Sequence, residues 1–436
     1  MLARLLAEAD WTYSQLAMAV NRAGTETGKP LRYTAVSVHQ WLNGGKPRKN
    51  VQPLVREAFA RRLMRPVTMT ELGFEESPAP SRTMDTVEGL VDLGRRDMDP
   101  TRRGVLGASL FSVALTIPAW HDVVGRAEAV QSGRSSRIGW GEVDMVIAMT
   151  DKLSEVDDQF GGRHARPMAA SFLVNTVSAY LQADAPQEVR EGMLSAASDL
   201  CYLTGYMAVD EGYHGLAQQY YLKALELAGH ANDHLTYCTT LRGMSLQAVD
   251  LGHGQRAVRL ADAAAAASPH AGPRMRAFLA GQQAHCYAQI GEKHTAVRYM
   301  AEAEVAMEKA ESKEKALGSY DPSSLYYHIA QVKFEMGDLA GSVEAMVESD
   351  RLCYQVYRRS RVKHRQMIAE RKLSIGHLEE ACAAWTLALD EYPMVQSGRC
   401  DARFREMAAL LKPYSKHGAA KELLDRYKSL PEAVKV

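Results

Sequence analysis

Five glycines divide the second half of this 436-residue chain at near-constant intervals: Gly212, Gly252, Gly291, Gly337 and Gly376 stand 40, 39, 46 and 39 residues apart. Five positions after each comes a small residue, Ala217, Ala257, Ala296, Ser342 or Ala381, and seven positions before each comes another, Gly205, Ser245, Ala284, Ala330 or Ala369. Apolar residues flank every glycine at helical spacing. Glycine at the end of one helix accepts the positive φ that a tight turn to the next requires, and small residues on both helices let their axes approach. The pattern therefore predicts five helix pairs, each too small to bury its own apolar face and obliged to stack on its neighbours.

Nine positions after the glycines stand Tyr221, Ala261, Met300, Met346 and Trp385, and twelve after stand Ala224, Ala264, Ala303 and Ala388, all on the inner face of the second helix. Pro269 and Pro393 follow their glycines by seventeen residues, where the second helix should stop. In this register the units resemble tetratricopeptide repeats. The intervals exceed the usual spacing of about 34 residues, which predicts spacers of roughly five to twelve residues between units, and Ser342 and Ser349 stand where alanine is expected. The resemblance implies an α-solenoid over residues 198–436, with further amphipathic helices at 143–156 and 169–181, inside a segment spanning 135–197, capping its first unit. Between them Arg163, His164 and Arg166 form either an anion-holding loop or a solvated basic turn.

The chain carries 52 Lys and Arg against 52 Asp and Glu, but residues 1–70 hold eleven of the former and four of the latter, so the remainder is acidic by the difference, seven. A basic amino-terminal end attached to an acidic body suits a polyanionic partner at that end alone. The six cysteines are scattered without a CxxC, as small buried hydrophobes in a reducing compartment. Arg4 and Glu8 lie within the first amphipathic stretch, so no signal peptide is expected there and the place of work is the cytoplasm.

Residues 1–74 read as a bundle of short helices. Leu2, Leu5, Leu6 and Ala9 make one stripe; Thr12 or Ser14 caps a second helix carrying Leu16, Ala17 and Val20; and Thr34 caps a third, with Val38, Trp41 and Leu42 facing inward and Gly44 as its stop. With Gln15, Leu16 and Ala17, the stretch 38–44 and a following helix over 54–63, this region resembles the helix-turn-helix domain of Cro and the phage repressors. The resemblance implies that Thr34, Ala35, Val36, Ser37, His39 and Gln40 lie at the recognition surface. There Gln40 can pair with adenine and Ala35 or Val36 can meet a thymine methyl. Lys46, Arg48 and Lys49 would then contact phosphate and set position, not sequence. The turn over 25–32 is longer than that family's. The competing reading is a structural bundle with a solvated basic face.

Residues 75–134 are expected to form a linker with a short helix near 87–93, followed by Arg102, Arg103, Gly104, Val105, Leu106 and Gly107 and an apolar run over 105–117. That run is too short to span a bilayer of about 30 Å, so no membrane is implied, and it is a candidate contact between two copies. A helix-turn-helix, an Arg-Arg-Gly-Val-Leu-Gly segment and degenerate repeats, in that order, resemble large actinobacterial transcriptional regulators. Val20 to Arg22, Trp41 to Gly44, Pro47 with Arg48, and Leu72 with Gly73 are similar to a Streptomyces group that represses antibiotic production and sporulation.

Inner-face positions of the first helices fall 13, 10, 6 and 3 residues before the turn glycine. They present Tyr202, Tyr206, Arg242, Leu246, His285, Tyr327, Gln331, Lys363, Gln366 and Glu370, aromatics and forked donors suited to a peptide, a small effector or a protein partner. The alternative is the wet side of a solenoid. The fourteen histidines form no HExxH and no Gly-rich phosphate loop is present, so neither catalysis, a metal nor a cofactor is expected. The expectation is an all-α, homodimeric regulator of double-stranded DNA; the alternative function is a repeat scaffold for protein assembly.

Overall fold

In a computed structural model the described residues are 1–27, 30–74, 86–99, 111–112, 137–268, 271–310 and 320–431, and among them the chain is helical apart from one isolated bridge between Arg137 and Asp184. Five helices form the amino-terminal bundle: α1 (Leu2–Glu8), α2 (Tyr13–Glu26), α3 (Ala35–Leu42), α4 (Gln52–Leu63) and α5 (Met69–Leu72). Thr12 and Gln15 close a reciprocal capping box at α2, and Thr68 with Glu71 another at α5. The bundle has its own core, from Leu5, Leu16, Val20, Val38, Val55 and Phe59.

The helix expected near 87–93 is longer than expected and is not free. α6 (Thr86–Met98) buries Leu90 and Leu93 in the core of the array and inserts Asp97 between the Arg166 guanidinium and the Tyr220 hydroxyl, which donates at 2.9 Å. The apolar run over 105–117 lies outside the described residues except for Phe111 and Ser112, and these two contact their own chain, as detailed below.

Next come α7 (Trp140–Phe160), α8 (Gly162–Phe172), a π-helical turn (Leu173–Val177) and α9 (Ser178–Leu181). The expected basic loop or turn does not exist. Gly161, at φ +91, is a single-residue break, and α8 begins directly after it. Arg166 is buried against Asp97 and Glu211, and Arg163 donates to Asp401 at 2.7 Å, so both cations serve structure.

Hairpins follow: α10 (Gln187–Asp210) with α11 (His214–His230), α12 (His234–Asp250) with α13 (Gly254–Ala266), α14 (Pro273–Gln289) with α15 (Lys293–Glu308), α16 (Pro322–Glu335) with α17 (Leu339–Leu352), and α18 (Arg358–Ser374) with α19 (Leu378–Glu391). The boundary expected at 197/198 falls inside α10. All five turn glycines take positive φ, between +74 and +88, and the small residues five after and seven before them are buried. At the two hairpins with serine in the small set, the hydroxyl bridges the pair: Ser245 donates to the Ala257 carbonyl at 2.9 Å and Ser342 to that of Ala330 at 2.6 Å. The extra length goes partly into helices and partly into spacers: α11 and α12 run 17 residues each with only three residues, turned by Asn232 at φ +55, between them, whereas six residues separate α13 from α14 and five separate α17 from α18. Pro269 lies outside the described residues; Pro393 sits in a 3-10 turn directly after α19.

A sixth pair, α20 (Gly398–Leu411) with α21 (Gly418–Ser429), completes the carboxyl end, sharing a core with Trp385, Tyr392 and Phe404. The array curls back on itself there. Gln396 donates its N–H to the Phe160 carbonyl at 2.6 Å and accepts from Arg163 N–H at 3.2 Å, so the last helices rest on α7 and α8. A Cβ on Gly161 would come within 2.3 Å of the Gln396 carbonyl, which explains glycine at that seam.

Candidate functional site

In the amino-terminal bundle, α3 is held by what it buries. Val38 and Trp41 face the core, and the Tyr33 ring meets Trp41 edge-on at 5.1 Å. The long turn before it is fixed by Asn21, whose amide donates to the Tyr33 carbonyl and whose carbonyl accepts from the Tyr33 N–H, both at 2.8 Å. These two bonds leave Thr34, Val36, His39 and Gln40 exposed and Ala35 and Ser37 half-buried; Val36 is 65% exposed. Gly44, at φ +97, ends the helix, and Lys46, Arg48 and Lys49 follow it, all exposed. An apolar and amide-bearing strip edged by cations on one side is thus assembled from the residues singled out in the sequence.

The bundle touches the array through α4. Arg61 pairs with Glu57 and Glu26 and donates to the Phe111 carbonyl at 2.9 Å. Ser112 donates its hydroxyl to Glu57 at 2.8 Å, while its backbone N–H and carbonyl meet the Gln218 side-chain amide at 2.9 and 3.0 Å. The Phe111 ring stacks on His253 at 5.0 Å with an interplanar angle of 5°. Burial first, and then the cations Arg61 and Arg22, push the His253 imidazole down to about 4, so it stacks as a neutral ring. α3 lies off this contact and stays open.

The inner face of the array departs from the open groove the sequence implied. Tyr202, Arg242, Leu246, His285 and Gln366 are buried; Tyr206, Tyr327, Gln331, Lys363 and Glu370 are partly reachable. The cause is the curl, which brings first helices from distant units together. Arg359 on α18 reaches Asp157 and Asp158 on α7 at 2.8 and 3.2 Å and Asp210 on α10 at 3.5 Å; Arg399 reaches Asp210 at 3.2 Å and Asp250 at 3.3 Å. Both guanidiniums lie over the Tyr206 ring, at 5.2 and 5.4 Å. Gln366 donates to the Cys400 carbonyl at 3.1 Å, Glu370 pairs with Arg403, and Gln331 accepts from Arg371. Four of the ten expected residues, Tyr206, Gln366, Glu370 and Gln331, are therefore committed to closure. The sequence reading missed Arg359 and Arg399 because neither occupies an inner-face register position.

Arg242, His285, Tyr327 and Lys363 converge instead. The Arg242 guanidinium lies 4.1 Å over the Phe278 ring and donates to His328 Nε2 at 3.4 Å. A guanidinium only donates, so His328 carries its proton on Nδ1 and gives it to the Tyr320 hydroxyl, 2.7 Å away. Gly281 makes room: a Cβ there would stand 2.5 Å from that hydroxyl. His285 and His328 lie 6.4 Å apart, and Lys363 Nζ sits 4.4 Å over the Tyr327 ring, which stacks on His364. Burial, followed by Arg242, His285 and Lys363, holds His328 well below the usual histidine range; His285 is pushed down to about 4, chiefly by burial and with Arg242, Arg371 and Lys363 adding to it. No cluster of His, Cys, Asp and Glu suited to a metal occurs among the described residues. No helix among them is long and apolar enough to cross a membrane.

Residues 2–75 match a family model described as the SP15 N-terminal domain. No curated protein sequence matches the chain. Among solved structures the chain is similar to one in the crystal structure of the APC/C hetero-tetramer Cut9-Hcn1, at 12% identity and a TM-score of 0.33 over 97% of this chain and 70% of that one.

Proposed function

We propose that this chain is a DNA-binding regulator, dimeric on DNA, in which α3 reads base edges and the repeat array takes up an effector. The observation that carries the reading is the division of α3: Val38 and Trp41 lock it to α2 while Val36, His39 and Gln40 face outward beside Lys46, Arg48 and Lys49. Val36 and Gln40 stand exposed beside three exposed cationic side chains, an arrangement that suits contact with base edges flanked by phosphate. The order of elements, together with the resemblance to actinobacterial regulators, supports the same view.

Selection of bound duplexes from a random pool tests it, followed by affinity measurements on the winning site and on random DNA. Gln40→Ala should weaken the selected site alone, by about 1 to 3 kcal/mol, whereas Lys49→Ala should weaken both alike. Equal losses on both DNAs for both variants, or no enrichment at all, would leave the second reading: a protein-interaction scaffold. That reading has its own support in the array itself, since stacked helix pairs with aromatic and guanidinium groups inward are built for contact with other molecules.

A further inference from the structure

We propose that Arg242 and Lys363, walled by Phe278, Tyr327 and His285, form a site for a small organic anion with at least two negative charges, enclosed by the curled array. The proposal deepens the reading that the array takes up an effector, and names the chemical class of that effector.

Charge is the first argument. Arg359 and Arg399 share Asp210, and Arg403 has Glu370, while Arg371 has the Gln331 amide oxygen and the Phe334 ring. Arg242 and Lys363 form no ion pair with any described carboxylate, and what faces them is aromatic or imidazole. Arg242 is 7% exposed, and its Nε has no hydrogen-bond partner. A buried guanidinium without a counter-charge is expensive unless something supplies one. His285, beside it, also leaves Nδ1 without a partner. The two histidines cannot carry a second positive charge next to these cations, so they present neutral rings and add hydrogen-bonding capacity without further repulsion.

Access and size are the second argument. Tyr206, Tyr327 and Lys363 are partly exposed, whereas Arg242 and His285 below them are buried. An extended peptide needs a continuous track along successive first helices, but Leu246 and Gln366 on that track are covered, and Gln331 and Glu370 are tied to Arg371 and Arg403. A compact molecule fits a site that is closed at both ends. A guanidinium fork and a point-charge ammonium over aromatic faces together suit oxyanions attached to a flat or apolar body.

The test uses the full chain at fixed ionic strength and follows thermal unfolding while inorganic pyrophosphate is titrated in one arm and citrate in the other. A saturable rise in Tm with either anion is expected, and the effective one tells phosphate chemistry from carboxylate chemistry. Lys363→Gln, at a half-buried position that tolerates change, should weaken the apparent affinity about tenfold, and Arg242→Gln at least as much. No rise with either anion overturns the proposal. So does a rise that both variants retain in full, because the anion would then be bound elsewhere. Neither outcome touches the DNA measurements, so a failure here is separable from failure of the regulator reading.

Discussion

Arg359→Met removes the cation on which the curl of the array is fastened. Its guanidinium is 7% exposed on the side chain and stands 2.8 Å from Asp157, itself 2% exposed. Asp210 would keep Arg399 at 3.2 Å, the Ser397 hydroxyl at 2.8 Å and the Gly162 N–H at 3.2 Å, but Asp157 would keep no cation, and its Oδ1 already has no partner. Removing one partner of a buried ion pair costs about 3 to 5 kcal/mol, which on a protein of this size lowers Tm by roughly 4 °C. The pH dependence gives a sharper signature. Burial pushes Asp157 up to about 7 even with Arg359 opposing it. A carboxylate whose folded-state value is raised binds its proton more tightly in the folded state, so stability falls as pH rises from about 4 through 7. Without Arg359 that value rises further, and the loss should be largest at pH 8 and shrink at pH 5.5. Asp157→Asn in the Arg359→Met background should recover much of it. Thermal and urea unfolding at both pH values, with small-angle scattering to follow opening of the curl, provide the measurements. A loss below about 1 kcal/mol at pH 8, or one that is independent of pH and unrelieved by Asp157→Asn, would refute the claim that this pair fastens the array.

Gly376→Ala should cost about 1 to 2 kcal/mol by chemical denaturation, since φ is +88 there and an added methyl meets nothing within 4 Å, leaving backbone strain as the sole penalty. Asp199→Asn should make the chain more stable at pH 8 and no more stable at pH 4. Burial, only partly offset by the Thr236 hydroxyl that donates at 2.9 Å, raises Asp199 to about 7, and this places its unfavourable charging between about 4 and 7; an unchanged pH profile of Tm would contradict that.

The parts of the fold written in local signals were legible in the sequence. Turn glycines, small crossing residues and Trp385 specify hairpins within some 40 residues, and each such signal acts through backbone strain or volume at one position. The boundaries of α3 follow likewise from Thr34 and Gly44. The sixth pair escaped because its turn uses a 3-10 segment, Lys412–Tyr414, in place of a positive-φ glycine. The length of the intervals was visible, but its use was not: extra residues can lengthen a helix or make a spacer, and only packing against the neighbouring pair decides.

The site was legible as a set of residues and illegible as a surface. Register put Arg242, His285, Tyr327 and Lys363 on inner faces, which holds for each helix alone. Whether an inner face is open depends on the pitch accumulated over all the units, and that pitch is fixed by contacts such as Arg163 with Asp401, 238 residues apart. No local pattern encodes such a pair. Curvature closes the groove, Arg359, Arg399 and Arg403 find carboxylates there, and Arg242 and Lys363 are left with rings around them. The chemistry of the interior is thus a remainder: what the inner faces carry, less what closure consumes. Reading it requires knowing first which units touch.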